Sequence, residues 1–172
     1  MNKTKILAIK KEELYTMSQF IALTGIVTVA PLLGHQIITG SIVNAALFIS
    51  VILLGIRGAV LIALVPSLIA FTVGLLPSVL VPIIPFIIIG NIILISIFAF
   101  LRQKNYWLAI ISASFIKFIF LFSISSVVVN LLFQKEIAQS ISIMMSWPQL
   151  LTALIGGLIA YLFLNKLIKD SP

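Results

Sequence analysis

Long apolar runs, broken only by short polar or Pro/Gly-containing stretches, dominate the chain from about Met17 onward. Runs of this length predict membrane-crossing helices rather than the period-two alternation of strands. The first span is predicted from about Met17 to Gly34, with Pro31 near its end. A polar stretch follows, containing Gly34, His35, Gln36, Thr39, Gly40 and Ser41. The second span, about Ile42 to Leu54, is short for a bilayer that needs roughly 20 helical residues, so tilting or extension by the preceding loop is required. Gly55 to Gly58 reads as a tight turn. The third span covers about Ala59 to Leu76 around Pro66, and Pro77 to Pro82 make the next turn. The fourth span covers about Pro82 to Leu101, and Arg102, Gln103 and Lys104 close it. The fifth starts near Tyr106 and runs as far as Phe133, long enough to tilt or protrude. Gln134 to Trp147 form the one substantial loop, apolar enough over Ile141 to Met145 to lie at the interface. The sixth span covers about Pro148 to Leu167.

The expected architecture is therefore an all-α integral membrane protein, a bundle of six transmembrane helices. Residues 1–16 form an N-terminal cytoplasmic segment, 17–168 the membrane domain and 169–172 a cytoplasmic tail. Composition agrees. Only 9% of residues are charged and 62% are hydrophobic, and the mean hydropathy is +1.29. Soluble domains carry roughly 25% charged residues. No cysteine is present, so disulfides, thiolate metal sites and a Cys nucleophile are excluded.

Charge sets the expected orientation. Of the 11 Lys and Arg residues, Lys3, Lys5, Lys10, Lys11, Arg57, Arg102, Lys104, Lys166 and Lys169 fall on the side of the termini, and only Lys135 on the other. The positive-inside rule then puts both termini in the cytoplasm, in the cell membrane. Trp147 at the outer interface and Tyr106 and Trp107 at the inner one fit aromatic belts. The net charge of +7 is explained by these flanks, and no basic stripe on a soluble face exists to contact nucleic acid. The charged Met1 to Thr16 segment is unlike a signal-peptide core, and it suits an amphipathic helix on the anionic leaflet.

The remaining basic residue, Lys117, does not fit the flank pattern. It lies twelve residues beyond Asn105, roughly 18 Å along a helix and so near the bilayer midplane. A lysine there costs on the order of 3 kcal/mol. No Asp or Glu lies within a span to neutralise it. Snorkelling, or a neutral amine against Ser112 and Ser114, is one solution; a bound anionic group, a carboxylate above all, is the other. Further polar residues share its depth or lie above it: His35, Gln36, Asn44, Asn91, Asn130, Trp147, Gln149 and Thr152. They come from several helices and crowd the outer half of the membrane. A polar cluster open to the outside is what a solute-capture pocket requires. Lys117, Asn91, His35, Asn44, Trp147 and Gln149 are the candidate substrate-binding residues.

Small residues form a second pattern. Ala153/Gly157 and Gly156/Ala160 overlap on span six, where close packing within the bundle is the expected use. Ala22, Thr24, Gly25 and Thr28 on span one are candidates for facing a partner. No P-loop, His-Glu-x-x-His motif, metal-ligand cluster or intramembrane acid pair is present, which argues against ATP binding by that device, metal use, cofactor use and enzymatic chemistry.

Several strings resemble the substrate-binding S components of energy-coupling factor transporters: Pro85 to Asn91 (Pro-Phe-Ile-Ile-Ile-Gly-Asn), Trp147 to Gly157 (Trp-Pro-Gln-Leu-Leu-Thr-Ala-Leu-Ile-Gly-Gly), the start of span two from Gly40 to Asn44, and Lys117 in a run of Phe and Leu. Length, span number and inside termini agree with that family. The resemblance implies a subunit that captures a small, vitamin-like solute from outside, associates with a membrane coupling (T) subunit and two cytoplasmic ATPases, and topples in the bilayer to release the solute inside. The family often carries Ala-x-x-x-Ala on the first span for docking the coupling subunit; this sequence departs from that pattern, with Thr24/Thr28 and Ala22/Gly25 as approximate substitutes. A stand-alone secondary carrier or channel is the competing class, though no intramembrane carboxylate supplies its coupling-ion site. A membrane enzyme with Lys117 as base is the third.

Overall fold

The computed structural model describes residues 3–72, 82–129, 131 and 135–169. Among these residues the structure is helical, without strands. Helix α1 spans Lys3–Val29 and passes through a 3-10 turn, Ala30–Leu33, to α2, Gln36–Leu53. Then come α3 (Gly55–Thr72), α4 (Ile84–Leu101), α5 (Tyr106–Ile124) with a π-helical extension over Ser125–Val129, α6 (Lys135–Met144) and α7 (Trp147–Lys169). Helices α1, α2, α4, α5 and α7 are long and apolar enough to cross a membrane, and α3 carries a shorter apolar stretch, Gly55–Ile69.

Local chemistry sets the breaks. Gly34 ends the 3-10 turn with φ 66°, and Gly55 reverses the chain between α2 and α3 with φ 73°. Both angles lie in the left-handed region that glycine enters without a Cβ penalty. Asn105 caps α5, its side-chain oxygen accepting from the Leu108 N–H at 3.0 Å, which satisfies one of the free donors at that helix start. Pro85 sits in the first turn of α4, where its missing N–H costs nothing.

Helix α2 occupies the centre and packs against α1, α3, α4 and α7. Leu47, Phe48, Val51, Ile62, Leu94, Ile95, Phe98 and Ile110 are buried there. The contact with α7 depends on small residues. A Cβ on Gly156 would stand 2.8 Å from the Ala45 backbone nitrogen, and one on Gly157 would stand 2.5 Å from Ile110 on α5. Ala153 and Ala160 are fully buried on the same helix. The small-residue pattern of this helix is thus used inside the bundle. The outward faces are apolar: Ile21, Ile38, Phe100, Ile111, Phe115 and Leu162 are all exposed. Such a surface is compatible with a multi-pass membrane protein, since water would be a poor solvent for it.

The two ends of the bundle differ. At one end Phe48, Phe98, Tyr106, Trp107 and Tyr161 form a ring cluster, with Phe48–Phe98 centroids 4.7 Å apart and Trp107–Tyr161 centroids 4.8 Å apart. The Tyr106 hydroxyl donates to the Gly157 carbonyl at 3.3 Å. The late parts of α2, α4 and α7 meet the start of α5 there, so these three helices run the same way and α5 runs opposite to them. The α1–α2 and α6–α7 connections lie at the opposite end.

The element boundaries differ from the hydropathy reading at several points, α1 among them, since it runs unbroken from Lys3 into the expected first span. The polar stretch before the second span is helical from Gln36, which gives α2 its 18 residues. Only Leu54 separates α2 from α3, and Gly55 to Gly58 are already helical. The fifth helix gives way to π geometry at Ser125. The segment before the last span holds an amphipathic helix, α6, in place of a loop. The expected turn at Pro77 to Pro82 falls outside the described residues except for Pro82, and Asn130 falls outside them too.

Candidate functional site

Three polar residues on three helices meet below the end that carries the α1–α2 connection. Asn44 lies eight residues into α2, Asn91 seven into α4, and Lys117 seven before the end of α5. At 1.5 Å per residue these offsets all correspond to about 10–12 Å of depth. The side chains converge accordingly. Lys117 Nζ donates to Asn44 Oδ1 and to Asn91 Oδ1, each at 2.8 Å. Asn44 Nδ2 donates onward to Thr152 Oγ1 on α7 at 3.3 Å, and Thr152 Oγ1 donates to the Gln149 carbonyl at 3.2 Å. Lys117, Asn44 and Asn91 are each 3% exposed or less. The chain of bonds ties α2, α4, α5 and α7 together at one depth.

Above this network lies a cavity of about 330 Å³. Its walls include Asn44, Asn91 and Lys117, the apolar Pro31, Val43, Pro66 and Ile87, and the polar His35, Gln36, Thr39, Ser67 and Gln149. At its mouth Gln36 Nε2 and Gln149 Nε2 both donate to the Met144 carbonyl, at 2.8 and 3.2 Å. These two bonds join α2 and α7 to the last turn of α6. The volume is at the lower end of the range for small-molecule sites.

Electrostatically the cavity is unbalanced. None of its described lining residues is Asp or Glu. Two amide dipoles solvate the Lys117 ammonium, and neither carries a counter-charge. An ammonium has three donors, and two are used. Among the described residues no cluster of three or more His, Cys, Asp or Glu exists to hold a metal ion.

Five of the six residues singled out as substrate-binding therefore line one cavity: Lys117, Asn91, His35, Asn44 and Gln149. Trp147 is 59% exposed and does not line it. The serines considered as partners for Lys117 are not its partners; Ser114 Oγ is buried without a hydrogen bond, as is Ser41 Oγ. Ser67 and Thr39 line the cavity unanticipated by the sequence. Ser67 follows Pro66 in an otherwise apolar run, and that pairing was the available signal. Thr39 donates to the Ala30 carbonyl at 2.9 Å, fixing the α1–α2 corner.

On α1, Ala22 is exposed and lines an apolar groove of about 340 Å³ between α1, α2 and α7. Gly25 is exposed, with open space where a Cβ would stand. Thr24 and Thr28 are half-buried, and Thr24 Oγ1 has no hydrogen-bond partner. The four residues do not form a single exposed stripe.

No protein-family model, curated protein or solved structure matches this chain.

Proposed function

We propose that the protein is the solute-capture subunit of an importer of the energy-coupling factor type. It crosses the cell membrane six times with both termini in the cytoplasm, takes a small, vitamin-like anionic solute from outside, and passes it inward with a membrane coupling subunit and two ATPases. It performs no chemistry on the solute. The observation that carries this is Lys117: a deeply buried side-chain amine held by two asparagine oxygens, beside a cavity with no carboxylate among its described lining residues. A buried charge without a counter-charge is expensive, and a bound anion compensates it.

Support for the orientation comes from the basic residues on the side of the termini, which leaves the cavity end outside. Support for a passive role comes from the missing P-loop. The experiment is purification from native membranes in mild detergent, followed by native mass spectrometry and an ATPase assay. A capture subunit retains a small anionic molecule and comes with P-loop ATPases whose activity the eluate shows. A chain that comes alone and moves its solute down a gradient in ATPase-free liposomes would be a stand-alone carrier, and would overturn the proposal.

A further inference from the structure

The cavity's unused hydrogen-bonding groups are sorted by depth. At the bottom, one Lys117 N–H and the Asn91 Nδ2 group make no hydrogen bond within the described residues, because Asn91 spends its oxygen, not its nitrogen, on Lys117. Both are donors. At the mouth, Gln36 and Gln149 each spend one Nε2 N–H on the Met144 carbonyl, which leaves each amide an unused Oε1 acceptor and one further N–H, with His35 also in the lining. Between the two levels the walls carry Val43, Pro66 and Ile87 beside Thr39, whose hydroxyl is spent on the Ala30 carbonyl, and Ser67. Gln36 and Asn44 lie eight residues apart on α2, so the two levels are separated by about 12 Å.

We propose, resting on the capture reading above, that the ligand is an organic monocarboxylate bound acid-first, with a largely apolar middle and a neutral polar group at its far end. Two donors at the bottom match the two oxygens of one carboxylate. One ammonium balances one negative charge and leaves the filled site neutral. A phosphate monoester or a second carboxylate brings a further charge that nothing at this depth compensates. A primary amide keeps the shape and loses the charge that the ammonium requires.

The test uses the full-length chain in detergent and a series of defined probes: hydroxyphenylpropanoate, hydroxyphenylpropanamide, phenylpropanoate and hydroxyphenylethyl phosphate. Each is titrated while thermal unfolding is followed. The hydroxy acid is expected to raise the unfolding temperature in a saturable way. The amide and the phosphate should bind at least about tenfold more weakly, the selectivity expected where buried polar groups would be left unpaired. Phenylpropanoate should fall between. Asn91→Asp places a carboxylate beside Lys117 and should abolish the response to the acid. Asn91→Leu, which removes the donor and leaves the ammonium, should weaken it. The wild-type series decides the matter if either variant fails to fold. Equal binding of the phosphate or of the amide overturns the monocarboxylate assignment. So does silence from every probe. In either case, ATP-dependent uptake by the complex reports separately on whether the chain is a capture subunit at all.

Discussion

Gly156 on α7 lies so close to Asn44 on α2 that a Cβ at position 156 would stand 2.7 Å from the Asn44 Cβ, and 2.9 Å from the Ser41 carbonyl oxygen. The neighbouring atoms are backbone or the root of a side chain, so none can swing aside. The absence of a side chain at one helix thus fixes where the polar residue of the next helix stands. Asn44 in turn holds Lys117. Gly156→Val should push α2 and α7 apart, with an overpacking cost of about 1–3 kcal/mol, and should move Asn44 away from the ammonium. Thermal unfolding in detergent should show the loss of stability, and solute retention should fall with it. Unchanged stability and retention would mean that the two helices can separate without cost.

Gly25 on α1 is the opposite case, since a Cβ there meets nothing within 4 Å. Gly25→Ala should leave the isolated chain intact and stabilise the helix by about 1 kcal/mol through propensity alone. Gly25→Phe should likewise leave the solitary chain folded. If α1 docks a coupling subunit with this face, the Phe variant should retain solute yet fail to co-purify with that subunit. Normal assembly by Gly25→Phe would remove this face from the docking surface.

How far the sequence discloses the site follows from what each residue's signal depends on. The helices are legible because an apolar run of spanning length leaves the backbone little alternative to internal hydrogen bonding. Lys117 is legible because a charge in such a run is conspicuous wherever it points. Its partners are less so. Asn44 and Asn91 stand at the right depth by residue counting, but depth does not say which face of a helix a residue occupies, and Trp147, at the very start of α7, faces outward. Ser114, one turn from Lys117 on the same helix, is near in sequence and unbonded in space, because a lysine's long stem carries its nitrogen away from its own backbone. Helix α6 escaped the hydropathy reading because an amphipathic segment averages to neither a span nor a polar loop. The start of α2 escaped it because Gln36, Thr39, Gly40 and Ser41 are polar or flexible, although tertiary contacts such as Thr39 to Ala30 and Gly40 against Thr152 hold that turn in helix.

Orientation is open to direct labelling. A cysteine introduced at Arg57 should resist an impermeant thiol reagent in intact cells and react once the membrane is broken, whereas one at Gln36 or Lys135 should react from outside. Tags at both termini should be cytoplasmic. The absence of native cysteine makes every signal attributable to the introduced residue. Labelling of position 57 from outside would invert the topology and put the cavity on the cytoplasmic side, where an exporter would need it.

Lys117→Met separates the structural use of the ammonium from its use in binding. Removing it relieves the cost of a charge at this depth, on the order of 3 kcal/mol. It also strips Asn44 Oδ1 and Asn91 Oδ1 of the donor that satisfies both, at about 1–3 kcal/mol for each acceptor left dry. The two effects oppose each other, and the cavity gives the freed amides room to take up water or to turn. The variant should therefore fold and insert with little net change in stability. Solute binding has no such compensation. Loss of a charge-assisted contact in a desolvated site should cost about 2–5 kcal/mol of affinity, while Thr152→Val, which removes the acceptor for Asn44 Nδ2 at 3.3 Å and the donor to the Gln149 carbonyl but leaves the ammonium, should cost about 1 kcal/mol. Titration of the purified variants with the molecule retained by the parent protein measures both. If Lys117→Met binds that molecule as tightly as the parent does, the ammonium is a strut between α2, α4 and α5, and the anionic character of the solute goes with it.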